Sequence, residues 1–550
     1  VAVDFLFLAI FRKKTSTMIR AQIIQMLSMG ILFFLTFRLQ AQQYDVVILH
    51  GKIVDGAGNS WYYGDVAVKD GKIAKIGKAA GWNSPRVIDA KGLIVAPGFI
   101  DVHTHIEGND LKVPTAGNFI MDGVTSVVTG NCGGSNVDIA KYFRQLDSVK
   151  TSINVATLIG HNSVRRKVMG DGQRDPSAEE QLKMEEVVAK AMREGAVGLS
   201  TGLIYVPGTY SKTPEVIGLA KAASRFSGVY ASHIRDEGDH VTEAIEEAIN
   251  IGRQASIPVE ISHFKVTYKP NWGRSVSTVA QVEKARRDGI DVTIDQYPYV
   301  ASSTTLNTQI PNWALSGGMD SVKIRLKDPK LRQKIKLEIL ESLKKKKITN
   351  YGFATVAYYA ADTTFNGKNI AEVNLLKKRK STLLNEAETV LEMVENGSAS
   401  MIYFSMNEDD LKRIMQYPFN MFASDAGIAR YGSGMPHPRA YGTNARVLGE
   451  YVRLLKVIPL EEAIRRMTSL PAQKFQLRDR GLIREGMAAD LVIFDEVNVG
   501  DQSTFVKPHA YSNGFNFVMV NGQVVAENGK HTGVRSGQVL KGPGFGSASK

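Results

Sequence analysis

Eight short apolar runs recur through the middle of the chain, separated by amphipathic stretches of helical period. The runs are 99–103, 125–130, 154–159, 197–201, 229–232, 259–262, 291–294 and 421–423, and the stretches between them include 178–193, 241–254 and 277–288. Strands that alternate with helices must lie parallel, because each helix returns the chain to the same end of the sheet. Eight such units predict an α/β fold, a TIM-like (β/α)8 barrel over residues 99–475. In such a barrel the reactive face is the rim at the C-terminal ends of the strands.

The two ends of the chain have a different texture. Residues 44–54, 65–68 and 72–76 read as short strands with turn residues between them, and so do 490–494 and 517–520, the last followed by Asn521-Gly522. Two β-rich ends around an α/β middle predict one small β-sandwich domain assembled from 42–98 and 476–550. A Lys- and Glu-rich segment at about 305–400 reads mainly as helix and interrupts the last barrel unit. A connection that long is an inserted subdomain, either a lid over the site, which we expect, or a passive insertion.

The 550 residues carry a formal charge of +13, and Lys-rich runs at 344–347 and 377–380 supply much of it. Such runs ordinarily form solvated faces, and no nucleic-acid motif accompanies them, so nucleic acid is not expected as a partner. Residues 1–41 read as a secretory signal. Arg20 follows Met18, an apolar core spans 26–37, and Leu39-Gln40-Ala41 offers a cleavage site. The core is short for a membrane span, and an uncleaved anchor is the second reading. An exported protein, periplasmic or secreted and without a stable span after cleavage, is therefore expected. Removing 1–41 takes away five basic residues and one acidic residue and lowers the charge to +9. The composition gives no indication of oligomeric state.

The chemistry-bearing residues cluster at the ends of the apolar runs. His103 and His105 stand two apart in Asp101-Val102-His103-Thr104-His105, a spacing that points both imidazoles to one face of a strand. Cys132, the chain's single cysteine, lies between glycines in Gly130-Asn131-Cys132-Gly133-Gly134. A lone thiol in an oxidising compartment has no disulfide partner, which leaves a buried hydrophobe or a metal ligand. His233, His263 and Asp425 end three later runs. Taken singly, each histidine reads as readily as a structural residue; together with the only cysteine they make a metal site. One thiolate and two imidazoles, Cys132, His233 and His263, leave a position for water, which is the pattern of a catalytic Zn2+. Asp425 is either the base beside that water or the N-cap of the next helix.

These motifs resemble the amidohydrolase superfamily, and within it the D-aminoacylase (N-acyl-D-amino-acid deacylase) family. The resemblance covers about 44–530. It rests on Ala96-Pro97-Gly98-Phe99-Ile100-Asp101-Val102-His103-Thr104-His105, Asn131-Cys132-Gly133-Gly134 and Ser200-Thr201-Gly202-Leu203-Ile204-Tyr205. It continues through His233-Ile234-Arg235-Asp236-Glu237-Gly238, Ser262-His263-Phe264-Lys265, Tyr297-Pro298-Tyr299, Pro436-His437-Pro438-Arg439 and the closing Gly486-Met487-Ala488-Ala489-Asp490. It implies a tight zinc on Cys132, His233 and His263. It also implies a second, weaker site on His103, His105, Cys132 and Asp425, and a substrate site on Lys265, Tyr297, Ser303, Arg439 and Tyr205. The implied reaction is hydrolysis of an N-acyl-D-amino acid to a carboxylate and a free D-amino acid. A dipeptidase acting on L-Xaa-D-Xaa peptides uses the same chemistry, and a non-catalytic binding protein on the same scaffold is the reading from another class. Members of that family often carry an Asp soon after the second histidine, where this chain has Ile106-Glu107-Gly108. His161 and Arg165, after the third run, are expected to be structural.

Overall fold

The computed structural model describes residues 43–547, so the expected signal at 1–41 lies outside the described residues. All eight apolar runs are barrel strands. They are Phe99–Asp101, Val124–Thr129, Asn154–Thr157 continued by Ile159–Gly160, Gly198–Gly202, Val229–His233, Val259–Ile261, Val292–Gln296 and Asn420–Phe422. Every strand pair among them is parallel. The strands are buried along their whole length, as expected where helices cover one face and barrel packing the other.

The ladder runs in two arcs that meet at two seams. Within the third strand, Leu158 N donates to Thr129 O (2.8 Å), and the chain passes from one arc to the other. The eighth strand meets the first beyond their regular ends. Thr104 and Ala426 form a parallel bridge, Asp425 N donates to His103 O and His105 N to Ala426 O, both at 2.9 Å. This second seam fixes the two histidines of the HxH motif beside Asp425.

The helices follow their sequence signals. Ala178–Arg193 starts at a capping box formed by Ser177 and Glu180 and buries Met184, Val188, Ala191 and Met192 against the barrel. Val241–Ala255 and Ser275–Arg287 fall within two residues of the expected bounds.

The end domain is sheet-rich. Its nine strands form one continuous sheet. Ile94–Pro97 causes this, because it pairs on one edge with Val46–Ile53 and on the other with Leu491–Phe494. Both chain ends therefore share a single ladder, which folds around Ile48, Ile53, Val66, Leu491, Ile493 and Met519. The end of the chain leaves this domain. Val155 N donates to Gln538 O, Leu540 N to Val155 O and Gly542 N to Gly195 O, so residues from about 537 onward line the barrel.

The insertion stands where expected, before the last barrel strand, and is mainly helix, but it also carries a small sheet that was not expected. Ser302–Thr305, Ser400–Tyr403 and Ala354–Tyr358 make an antiparallel sheet in that order. Helices Pro329–Lys345 and Leu383–Glu395 pack on it through a separate core that includes Ile335, Ile339, Val356, Val390 and Met401. Four- and five-residue strands such as Ser-Ser-Thr-Thr carry too little apolar alternation to be seen in sequence. Among the described residues, no helix is long and apolar enough to cross a membrane.

Candidate metal centre

The expected ligands converge at the C-terminal rim. His233 is the last residue of the fifth strand, and the others follow their strands within a few residues. Cys132, His263 and Asp425 adopt left-handed backbone, with φ of 51°, 38° and 50°. Such geometry costs about 1–3 kcal/mol at a non-glycine residue and marks strain held at a functional site. Gly133 is required beside the thiol, because a Cβ there would lie 2.1 Å from Asn162 Oδ1 and 2.8 Å from Gly202 N.

Cys132 Sγ lies 3.6 Å from His233 Nδ1 and 3.7 Å from His263 Nε2, and the two nitrogens are 2.7 Å apart. Tetrahedral zinc, with Zn–S of ~2.3 Å and Zn–N of ~2.0 Å, spaces such donors by roughly 3.3–3.6 Å. The sulfur distances match, and the two imidazoles need to part by about half an ångström. Burial pushes the Cys132 thiol up, but the imidazoles of His103, His105 and His233 draw it well below its usual range, so the sulfur is a thiolate. The donor set thus fits zinc.

A second constellation adjoins the first. His105 Nε2 and His103 Nε2 lie 3.2 and 3.5 Å from Asp425 Oδ1, and His103 Nε2 lies 3.3 Å from the thiol. Cys132 is common to both sets, as the resemblance implies. Asp425 is buried, which would raise its carboxyl, yet Arg439, His103 and His105 hold it well below the carboxylate range. Arg439 Nη1 stands 2.8 Å from Asp425 Oδ2 as an ion pair.

Carboxylates support the ligands from behind. Asp295, at the end of the seventh strand, contacts His103 Nδ1 through Oδ2 (3.1 Å) and accepts from His263 N through Oδ1 (2.8 Å). This leaves His103 Nε2 free for the metal. Glu260 lies behind Asp295, and both are fully buried. Burial and the Asp295 charge push the Glu260 carboxyl well above its usual range, so it is protonated and hydrogen-bonded to Asp295. Glu237 Oε1 contacts His263 Nδ1 at 2.9 Å and Lys265 Nζ.

The expected substrate residues surround this centre, though not all are free. Lys265 is buried and engaged by Glu237 and by His263 Nδ1 (2.7 Å), so it steadies a ligand rather than presenting an open ammonium. Tyr297 is buried between Lys265 and Arg439, with its hydroxyl unpartnered. Arg439 Nη2 donates to Ser303 O at 3.3 Å, so Ser303 contributes its backbone. The Tyr205 ring lies 4.9 Å from that of His233, and its hydroxyl bonds Thr304 Oγ1 at 3.0 Å. His161 and Arg165 both pair with Glu215 in the interior, the structural role expected. Asp425 closes the metal rim and caps no helix among the described residues.

Sequence reasoning missed Asp295, Glu260, Glu237 and Thr304. Glu237 had a signal, standing four residues after His233 within a quoted motif. Asp295 ends an apolar run just as the ligands do.

The pattern of the Amidohydrolase family matches residues 86–297 and 381–526. A D-aminoacylase from Alcaligenes xylosoxydans xylosoxydans is 34% identical over 524 residues, covering 91% of this chain and 98% of that protein. The chain belongs to the amidohydrolase family. It is a metal-dependent hydrolase acting on amides, of the D-aminoacylase group. An N-acyl-D-glutamate deacylase from the same organism is 35% identical, over 88% of this chain and 94% of its own. The fold of this amidohydrolase matches that of N-acyl-D-glutamate deacylase from Bordetella bronchiseptica. That protein was solved with zinc and a phosphonate mimic of the tetrahedral intermediate (TM-score 0.77, 34% identity, 91% of this chain and 100% of that one). A D-aminoacylase structure is described as having a binuclear centre with one-metal activation and second-metal attenuation. It matches at TM-score 0.78 and 33% identity, over 90% of this chain and 100% of that one.

Proposed function

We propose that this protein hydrolyses N-acyl-D-amino acids with one tightly held zinc and a second, weaker metal position. The observation that carries the reading is the convergence of Cys132, His233 and His263 within 3.7 Å of one another, beside an Asp425 held ionised by Arg439. Cys132, His233 and His263 would hold the zinc; when bound, it polarises the amide carbonyl and lowers the pKa of its water to about 7.

The chain's own residues supply the rest. Asp425 accepts the proton of the attacking water and passes it to the departing nitrogen. Arg439 steadies Asp425 and faces the substrate carboxylate, where a guanidinium fork suits a planar anion. Tyr297 offers its free hydroxyl beside it. Asp295 fixes the ring of His103, and the Lys265–Glu237 pair fixes that of His263. Selectivity for the D hand follows from two fixed points, the carbonyl at the metal and the carboxylate at Arg439.

Support for the D-amino acid product comes from the names of relatives at 34–35% identity over most of the chain. The test is a matched library of N-acetyl-D-, N-acetyl-L- and L-Xaa-D-Xaa substrates on zinc-loaded protein. Turnover of the D-acyl set with little of the L set is expected. Preference for dipeptides would make the protein a dipeptidase, and zinc binding without turnover would make it a binding protein. We place the activity outside the cytoplasm, on the leader-like sequence at 18–41. N-terminal mapping of protein from its native host should then begin at Gln42, and a retained Met18 would overturn that placement.

A further inference from the structure

A cavity of about 610 Å³ lies between the barrel rim and the insertion. It reaches the metal centre through Tyr205 and Glu237, which contact His233 and His263. The strand Ser302–Thr305 separates it from Arg439. Ser302 and Thr304 line the cavity, while the carbonyl of the residue between them accepts from Arg439. A substrate with its carboxylate at Arg439 and its carbonyl at the metal therefore extends its acyl group into this cavity.

The walls are mixed, with many hydroxyl and amide side chains among the lining residues. Only Ile204, Val206, Leu315 and Met319 are aliphatic or thioether side chains among the lining residues. Four charged lining residues are already paired: Arg166 with Asp171, Arg235 with Glu247 and Glu237 with Lys265. What remains is of both signs. Lys346, on the insertion, lies 4.4 Å over the Tyr268 ring without an acidic partner. Asp236 and Asp239, on the barrel side, accept only from amide N–H groups. Lys346 thus departs from the wholly solvated run expected at 344–347. A buried, unpaired acceptor also lies in this wall. Asn307 Nδ2 reaches the weak acceptor Met319 Sδ at 3.3 Å, and Asn307 Oδ1 has no partner. An unpaired buried carbonyl oxygen is costly unless a ligand supplies a donor.

We propose that this cavity is the acyl subsite, and that it takes a long hydrophilic acyl group rich in N–H or O–H donors rather than acetyl or a fatty chain. The proposal rests on the amide-hydrolase reading above. The volume lies in the range of pockets for drug-sized ligands, and an acetyl group would leave most of it to water. A fatty chain would strip water from Lys346, Asp236 and Asp239 without replacing it.

The test uses zinc-loaded full-length protein and one D-amino acid carrying four acyl groups: acetyl, octanoyl, acetyl-glycyl-glycyl and gluconoyl. The last two separate a peptide-like from a sugar-like chain. At least one of them should exceed acetyl in kcat/KM by about tenfold or more, and octanoyl should fall below acetyl. Asn307→Leu should lower the polar-to-acetyl ratio about tenfold, the scale of one lost hydrogen bond. Met319→Trp, which fills the cavity and gives up only the weak sulfur acceptor of Asn307 Nδ2, should lower the same ratio and serves if the first variant does not fold. Acetyl or octanoyl as the best substrate, or a ratio unmoved in both variants, overturns the subsite. No turnover of any of the four overturns the hydrolase reading itself, and the subsite with it.

Discussion

Glu260 is the buried group whose state the fold dictates most strictly, and Glu260→Gln tests it. The side chain is 1% exposed, Ser262 Oγ donates to its Oε2 at 3.1 Å, and the Asp295 carboxylate is its charged neighbour. Two carboxylates in a dry interior cannot both ionise, so the pair holds one proton at neutral pH. In the unfolded chain Glu260 releases its proton near its ordinary value of 4.5. Between that pH and its raised folded value the native state binds one more proton than the unfolded state. Stability is then lost as pH rises, by about 1.4 kcal/mol per pH unit. Asp295, held low, adds a slope only below its ordinary value of 3.8. Glutamine keeps both hydrogen bonds and abolishes the slope. For a chain of this size the entropy of unfolding is roughly 1 kcal/mol/K, so each kcal/mol moves Tm by about 1 °C. The variant should gain on the parent by about 1.4 °C per pH unit, or about 3 °C from pH 5 to pH 7. Differential scanning of both proteins across that range, at matched zinc, provides the measurement. A Tm difference that is flat or falls with pH would show Glu260 ionised in the fold and refute the shared-proton argument.

Asp425→Asn should retain the tight zinc and lose kcat by roughly 10²–10⁴-fold, because the proton acceptor is gone while the shape remains; near-normal turnover with full zinc would remove Asp425 from the mechanism. Arg439→Met should cost about 2–5 kcal/mol in kcat/KM and lower the D:L ratio, since it removes the carboxylate anchor and the counter-ion of Asp425 together. An unchanged D:L ratio in steady-state assays would show that handedness is read elsewhere. Burial and the neighbouring Arg439 charge hold the His437 imidazole well below its ordinary 6.5, and it is satisfied as the neutral ring by Ala301 O and by Arg439 N. Unfolding lets it take a proton, so stability should fall as pH drops below about 6.5. His437→Gln should shrink that acid-side loss in Tm scans.

The barrel and its ligands were legible because both depend on local pattern. Each strand is a short apolar run, and Cys132, His233, His263 and Asp425 stand just past the ends of such runs. The supporting carboxylates were not legible, because nothing in the residues around Glu260 says that it faces Asp295 on the next strand. A charged residue in a strand reads as a solvent-facing one; only barrel closure turns that face inward. Lys265 shows the same limit. Its place two residues after His263 suggested an open clamp, and Glu237, from the loop after the fifth strand, takes its charge. The insertion's sheet was hidden by strand length, and the continuous end sheet by the double pairing of Ile94–Pro97.

The central claim is a zinc held by one thiolate and two imidazoles. Zinc K-edge X-ray absorption on protein loaded with one equivalent of metal tests it directly. One sulfur scatterer at ~2.3 Å and two or three nitrogen or oxygen scatterers at ~2.0–2.1 Å are expected. The sulfur contribution, together with tight binding and activity, should vanish in Cys132→Ala. A first shell without sulfur in the parent, or a Cys132→Ala variant with the same zinc affinity and turnover, would contradict the account.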